Sequence, residues 1–123
     1  MIWVVGANGM LGRELSGLLS VAGRPAVGTD AEVSILNPDA LAAFASDYAP
    51  SAIVNCAAYT AVDAAEDDAD RAYQINAHGV ENLATLAKAR GIPIVHVSTD
   101  YVFDGSSTEP LGEDAPTGPL GVY

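Results

Sequence analysis

Two stretches of this chain hold residue types arranged for chemistry. The first is Gly6-Ala7-Asn8-Gly9-Met10-Leu11-Gly12. It lies between an apolar run and an amphipathic one, so its main chain is the working surface. Gly6 permits a tight turn, Gly9 lets backbone approach a pyrophosphate, and Gly12 lets a helix pack closely on a strand. The amides that open the following helix then face the negative charge. The spacing is G-x-x-G-x-x-G rather than G-x-G-x-x-G. With a strand before it and a helix after it, the turn reads as a dinucleotide loop made by Gly6, Asn8, Gly9, Met10, Leu11 and Gly12. Asp30 closes the second apolar run, near the offset of about 20 residues at which a carboxylate takes hydrogen bonds from the adenosine ribose. A carboxylate there disfavours a 2′-phosphate and Arg13 could offset it, so both NADH and NADPH stay open.

The second stretch is Ser98-Thr99-Asp100-Tyr101-Val102-Phe103-Asp104-Gly105. It begins where the fourth strand ends, and open α/β sheets bind ligands at that edge. A hydroxyl beside a carboxylate can orient a polar substrate there; Ser, Thr and Asp also simply build turns. Other chemically capable residues read as structural. Asp63, Glu66, Asp67, Asp68 and Asp70 form a solvated helix start favoured by the helix dipole. His78 reads as helix surface, His96 as a satisfied core residue, Cys56 as a small buried residue at a strand end, and Trp3 as core. Glu14 and the Asp63 to Asp70 group leave Mg²⁺ open without supporting it, and no metal ligands are assigned.

These residues need a scaffold. Ile2 to Val5, Pro25 to Thr29, Ser51 to Asn55 and Ile94 to Val97 read as short buried strands. Leu11, Leu15, Leu18 and Leu19 recur at helical spacing, with Gly23 as the stop. Asn37-Pro38-Asp39 is a cap with proline at the first helical position, opening a helix to about Ser46. An Ala-rich helical stretch runs to about Arg90, interrupted near Asp68 to Asp70, and Gly91 ends it. The order β-α-β-α-β-α-β predicts an α/β fold: a Rossmann-type, doubly wound parallel sheet with strand order 3-2-1-4.

The composition agrees. The chain has 123 residues, half of them apolar and 17% charged, enough for one buried core. Five basic residues face sixteen acidic ones, giving a formal charge of −11. Such a surface repels nucleic acid and anionic membranes, while backbone amides can still hold one nucleotide. One cysteine permits no internal disulfide, and two histidines supply a zinc site poorly. No apolar run reaches a membrane span, and no leader precedes the first strand, so a cytoplasmic location is expected.

With those motifs in hand, the chain resembles the extended short-chain dehydrogenase/reductase superfamily, and within it the N-terminal portion of the dTDP-4-dehydrorhamnose reductase family. The resemblance rests on the glycine turn, on Val54-Asn55-Cys56-Ala57-Ala58-Tyr59-Thr60-Ala61-Val62-Asp63, on Ile75-Asn76, on the stretch Val97 to Gly105 and on Pro119-Leu120-Gly121-Val122-Tyr123. The glycine turn marks only the superfamily, and the Ser-Thr-Asp-Tyr-Val-Phe-Asp-Gly run is far more specific. The resemblance implies NADPH- or NADH-dependent reduction of the C4 ketone of a dTDP-linked 4-keto-6-deoxy sugar to dTDP-L-rhamnose. It implies that Thr99 and Tyr123 are catalytic, the phenol giving a proton to the forming alkoxide and the threonine hydroxyl bonding the same oxygen. Thr99 and Asp100 would contact the sugar. Ala58, Tyr59, Thr60 and Val97 would lie along the cofactor. Ser34-Ile35 stands where the family often has an acidic residue before an apolar one, which leaves Ile35 as the apolar wall near the adenine.

The family's lysine, four residues past the tyrosine, lies beyond Tyr123, as do further strands and a substrate domain. Residues 1–123 are therefore expected to be an NAD(P)-binding domain lacking its substrate domain and nearly inactive alone. The uncovered edge of strand four is expected to leave the chain marginally stable or self-associating, and a homodimer stays open. Two alternatives remain: another nucleotide-sugar epimerase or dehydratase of the superfamily, and a non-catalytic dinucleotide-binding regulatory subunit. Retention of both Thr99 and Tyr123 favours the enzyme.

Overall fold

The computed structural model describes residues 1–123. Four short strands, β1 (Ile2–Val5), β2 (Ala26–Thr29), β3 (Ala52–Asn55) and β4 (Ile94–His96), form one parallel sheet. Helix α1 (Met10–Val21) joins β1 to β2, and α2 (Pro38–Tyr48) joins β2 to β3. Between β3 and β4 the chain forms α3 (Val62–Ala65), α4 (Ala69–Tyr73), a π-helical turn (Gln74–His78) and α5 (Gly79–Arg90). A 3₁₀ turn (Asp100–Val102) follows β4.

The α/β, Rossmann-type class matches the sequence reading, but the strand order does not. The sheet runs β2-β1-β3-β4, not 3-2-1-4. After β2 the chain turns back over β1 and lays β3 on its far side. Both orders keep parallel strands and right-handed crossovers, so those rules cannot choose between them. Packing chooses. Leu41 and Ala45 of α2 are fully buried against Trp3, Val5 and Ile53, together with Leu83 and Ala87 of α5. Trp3 packs against Phe44 with ring centroids 4.5 Å apart and a tilt of 33°, and donates its indole N–H to the buried Thr29 hydroxyl at 2.8 Å. α2 is thereby held against β1, and the chain leaving it enters the sheet beside β1.

The reversal of direction between β1 and β3 makes a switch point, and a crevice opens at the C-terminal ends of those two strands. α1 lies on the opposite sheet face from α2 and α5. Of its residues only Gly12 is buried. Leu11 and Leu18, which share the expected helical stripe, are largely exposed. β4 is an edge strand with Val95 more than half exposed. His96 is a second correction: it is exposed rather than core, because it sits on that edge, and it pairs with the Asn55 amide at 3.1 Å. No helix is long and apolar enough to cross a membrane.

Candidate functional site

The glycine turn sits at the switch point. Gly6 ends β1 with φ +77°, a left-handed conformation. A Cβ there would lie 2.6 Å from the Ala57 nitrogen, so the loops after β1 and β3 touch through this glycine. The Gly6 and Ala7 amides both donate to the Thr29 carbonyl, at 2.8 and 2.9 Å. A Cβ on Gly12 would overlap the Gly6 carbonyl oxygen and approach the Ala7 Cα to 2.7 Å, so only glycine lets α1 start this close to β1. Gly9 caps α1 in extended conformation, and no side chain caps the helix. The first-turn amides of Met10, Leu11 and Gly12 therefore have no hydrogen-bond partner within the chain, the arrangement that receives an anion.

A cavity of about 590 Å³ opens beside this turn. Six of the residues singled out from the sequence line it: Gly6, Asn8, Gly9, Asp30, Ile35 and Ala58. The Asp30 carboxylate accepts from the Asn8 amide at 3.0 Å and from the Ala31 amide at 2.9 Å, so it is fixed at the rim. Ile35 is almost fully buried and serves both core and cavity wall. Its room comes from Gly79, where a Cβ would lie 2.6 Å from Ile35 Cγ1.

The other expected cofactor residues stand elsewhere. Met10 and Leu11 are exposed at the helix start, and Gly12 is buried beneath the turn. Tyr59 and Thr60 continue the loop from Ala58 without lining the cavity, and Val97 is half exposed past β4. Cys56 is half-buried in the cavity floor rather than in the core, and burial pushes its thiol pKa up. Arg13 does not line the cavity; Arg71 of α4 does, and it is the only cation there.

Three contributors had no assigned role in the sequence: Asn76, Ile75 and Arg71. Asn76 sits in the π-helical turn, the kind of helix irregularity that recurs at functional sites. Its side chain accepts from the Tyr59 amide at 2.8 Å and donates to the Tyr59 carbonyl at 2.9 Å. That pair of bonds clamps the loop following β3. Ile75, in the same turn, lines the cavity. Ile75-Asn76 was visible as a motif, but its work depends on a register that helical periodicity does not specify. Arg71 left no local signal.

A second cavity, of about 390 Å³, lies past the end of β4. Asp100, Tyr101, Phe103, Asp104 and Tyr123 line it together with Val62, Asp63 and Glu66. The structure thus brings Asp100 and Tyr123 to one place from distant parts of the chain. The rings of Tyr101 and Tyr123 meet edge to face at 5.5 Å. Thr99 caps the 3₁₀ turn: its hydroxyl oxygen accepts from the Tyr101 amide at 3.2 Å. The hydroxyl proton has only a long, weak contact to Asp100 Oδ1 at 3.5 Å, so a better acceptor can take it. Asp104 accepts from the Ser106 amide and hydroxyl, which lowers its pKa. The lining contains four carboxylates and no Lys or Arg. Hydroxyl groups suit such a wall, and a pyrophosphate does not.

Comparison with known proteins shows the family. The RmlD substrate binding domain family model matches residues 1–123. A dTDP-4-dehydrorhamnose reductase from Burkholderia thailandensis is 44% identical over 122 residues, covering 99% of this chain and 41% of that protein. The crystal structure of a dTDP-4-dehydrorhamnose reductase from Clostridium acetobutylicum superposes with a TM-score of 0.94 at 43% identity, covering 99% of this chain and 44% of that one. The Bacillus anthracis dTDP-4-dehydrorhamnose reductase, solved in complex with NADP, also gives 0.94, at 36% identity and the same coverage. The chain thus spans about two fifths of the length of these relatives. On a match that runs its full length, the chain belongs to the RmlD substrate binding domain family.

Proposed function

We propose that residues 1–123 form the dinucleotide-binding part of an NADPH- or NADH-dependent dTDP-4-dehydrorhamnose reductase. Its reaction is reduction of the C4 ketone of dTDP-4-dehydro-L-rhamnose to dTDP-L-rhamnose, a step of nucleotide-sugar synthesis for surface polysaccharide, placed in the cytoplasm. The observation that carries the reading is the glycine turn at the β1/β3 switch, where Gly6 approaches Ala57, Gly12 approaches Gly6, and Gly6, Asn8 and Gly9 line a cavity beside the uncapped start of α1.

The residues present fit the cofactor. The α1 amides and Gly9 would hold the pyrophosphate, Asp30 the adenosine ribose, and Ile35 the adenine side, with Ala58, Tyr59, Thr60 and Val97 along the remainder. Bound nicotinamide supplies the hydride. Tyr123 would donate a proton to the oxygen that becomes the alkoxide, and Thr99 would turn its hydroxyl proton onto that oxygen. Asp100 would accept from the sugar hydroxyls. Relatives named for dTDP-sugar reduction over 99% of this chain support the substrate class. Self-association through the open β4 edge would give a homodimer.

The test is calorimetric titration of this chain with NADH and NADPH. At least one should bind. Gly12→Ala should abolish binding, because the added methyl overlaps the Gly6 carbonyl. Asp30→Ala should shift preference toward NADPH. Binding of neither dinucleotide would sink the cofactor assignment. Turnover is to be measured on a polypeptide that continues through the lysine position, since no Lys or Arg lines the cavity around Tyr123.

A further inference from the structure

Five carboxylates crowd residues 63 to 70, yet one of them reaches across the fold. Glu66, at the end of α3, accepts from the Val122 amide at 2.8 Å through Oε1. The two residues are 56 apart in sequence. Gly121 makes the approach feasible: a Cβ there would lie 2.9 Å from the same Oε1. Glu66 makes no ion pair that would compete, the only pair in the molecule being His78 with Glu81. The segment that ends in Tyr123 is anchored elsewhere by the Gly118 amide on the Val102 carbonyl at 2.9 Å and by the Tyr101 ring against the Tyr123 ring. The Glu66 contact is the one nearest the Tyr123 backbone, and it is charge-assisted.

We propose that Glu66 is the positioning residue for Tyr123. Its carboxylate fixes the Val122 amide and thereby sets where the phenol stands in the acidic cavity. Fixing the peptide before Tyr123 leaves the ring only its side-chain torsions, and the Tyr101 edge restricts those. Gly121 belongs to the same device, as the residue whose missing side chain admits the carboxylate. The role rests on the reading of Tyr123 as proton donor. A misplacement of about 1 Å at a reacting group can cost roughly 100-fold in rate. Removing the anchor should therefore act on kcat and spare dinucleotide binding, which takes place in the other cavity.

The experiment has two readouts. Amide hydrogen exchange at Val122 is measured on this chain. Protection is expected in the wild type and in Glu66→Gln, which keeps the acceptor oxygen, and should be lost in Glu66→Ala and Gly121→Ala. The Gly121 variant is the safeguard against misfolding, since its methyl meets only the flexible end of Glu66. Turnover is measured on the polypeptide continuing past Tyr123. Glu66→Ala and Gly121→Ala should each lower kcat by about 10- to 100-fold with unchanged dinucleotide affinity. Their combination should cost no more than either alone. Glu66→Gln should stay within about threefold of wild type, because it keeps the hydrogen bond without the charge. Equal Val122 exchange in wild type and Glu66→Ala overturns the proposal. So does a Gln variant as slow as the Ala variant, which would make charge rather than placement the cause. Wild-type protein that turns over beside an unaffected Glu66→Ala overturns the role of Glu66 alone. Wild-type protein without turnover overturns the proposed reductase function itself.

Discussion

Cys56 shows how a single side chain reports on the cavity. It lies in the floor beside Gly6 and Ala57, half shielded from water, and burial disfavours its thiolate. The pKa is raised, so the thiolate appears later as pH rises than in a free cysteine. At a pH near the ordinary thiol value of about 8.5, alkylation by iodoacetamide should lag behind that of a free thiol. Saturating dinucleotide should slow it further, and mass spectrometry can follow both effects. Linkage has a definite sign here. The unfolded chain loses this proton first, so the contribution of Cys56 to stability is intact below the unfolded thiol pKa and is lost as pH rises through the folded one. Alkylation as fast as that of a free thiol, with no protection, would place Cys56 outside the cavity floor.

Among the elements, the π-helical turn and the cap of α2 separate function from stability. Asn76 holds both backbone groups of Tyr59, and Asn76→Ala leaves a partly buried N–H and C=O unpaired, at a cost of about 1–3 kcal/mol. Because the clamped loop continues from Ala58 in the cavity wall, dinucleotide affinity should fall along with the melting temperature. A lower melting temperature with unchanged affinity would make the clamp purely structural. Asn37 is the contrasting case. Its Oδ1 accepts from the Asp39 and Ala40 amides, each at 3.1 Å, and Asn37 itself lines neither cavity. Asn37→Ala should cost about 1 kcal/mol in urea unfolding and leave dinucleotide titration unchanged.

At the scale of the whole molecule, stability concentrates on one face of the sheet. Trp3 and Thr29 join β1 to β2 through a buried hydrogen bond, beneath the aromatic pair that seats α2. Thr29→Val strands a buried indole N–H and should lower the unfolding free energy by about 1–3 kcal/mol, read from the denaturant midpoint. The opposite face carries α1 alone, and the β4 edge is unpaired. Size-exclusion chromatography over a concentration series should show self-association; a monomer at every concentration would count against pairing through that edge.

The glycine turn, the four strands and the Asn37 cap were all legible along the chain, and the helix break expected near Asp68 to Asp70 falls slightly earlier, between Ala65 and Ala69. Each rests on interactions among near neighbours: backbone conformations that favour glycine, short continuous apolar runs, a side chain within three residues of the amides it caps. The strand order was not legible, because parallel pairing and crossover handedness admit both arrangements and only the fit of α2 against Trp3 and α5 selects one. The exposure of His96, the arrival of Arg71 at the cavity, the Asn76 clamp and the reach of Glu66 to Val122 were hidden for the same reason. Each joins residues far apart in sequence, or depends on which face of the sheet a helix covers. Such contacts leave no periodic trace in the chain and exist only once the elements have packed.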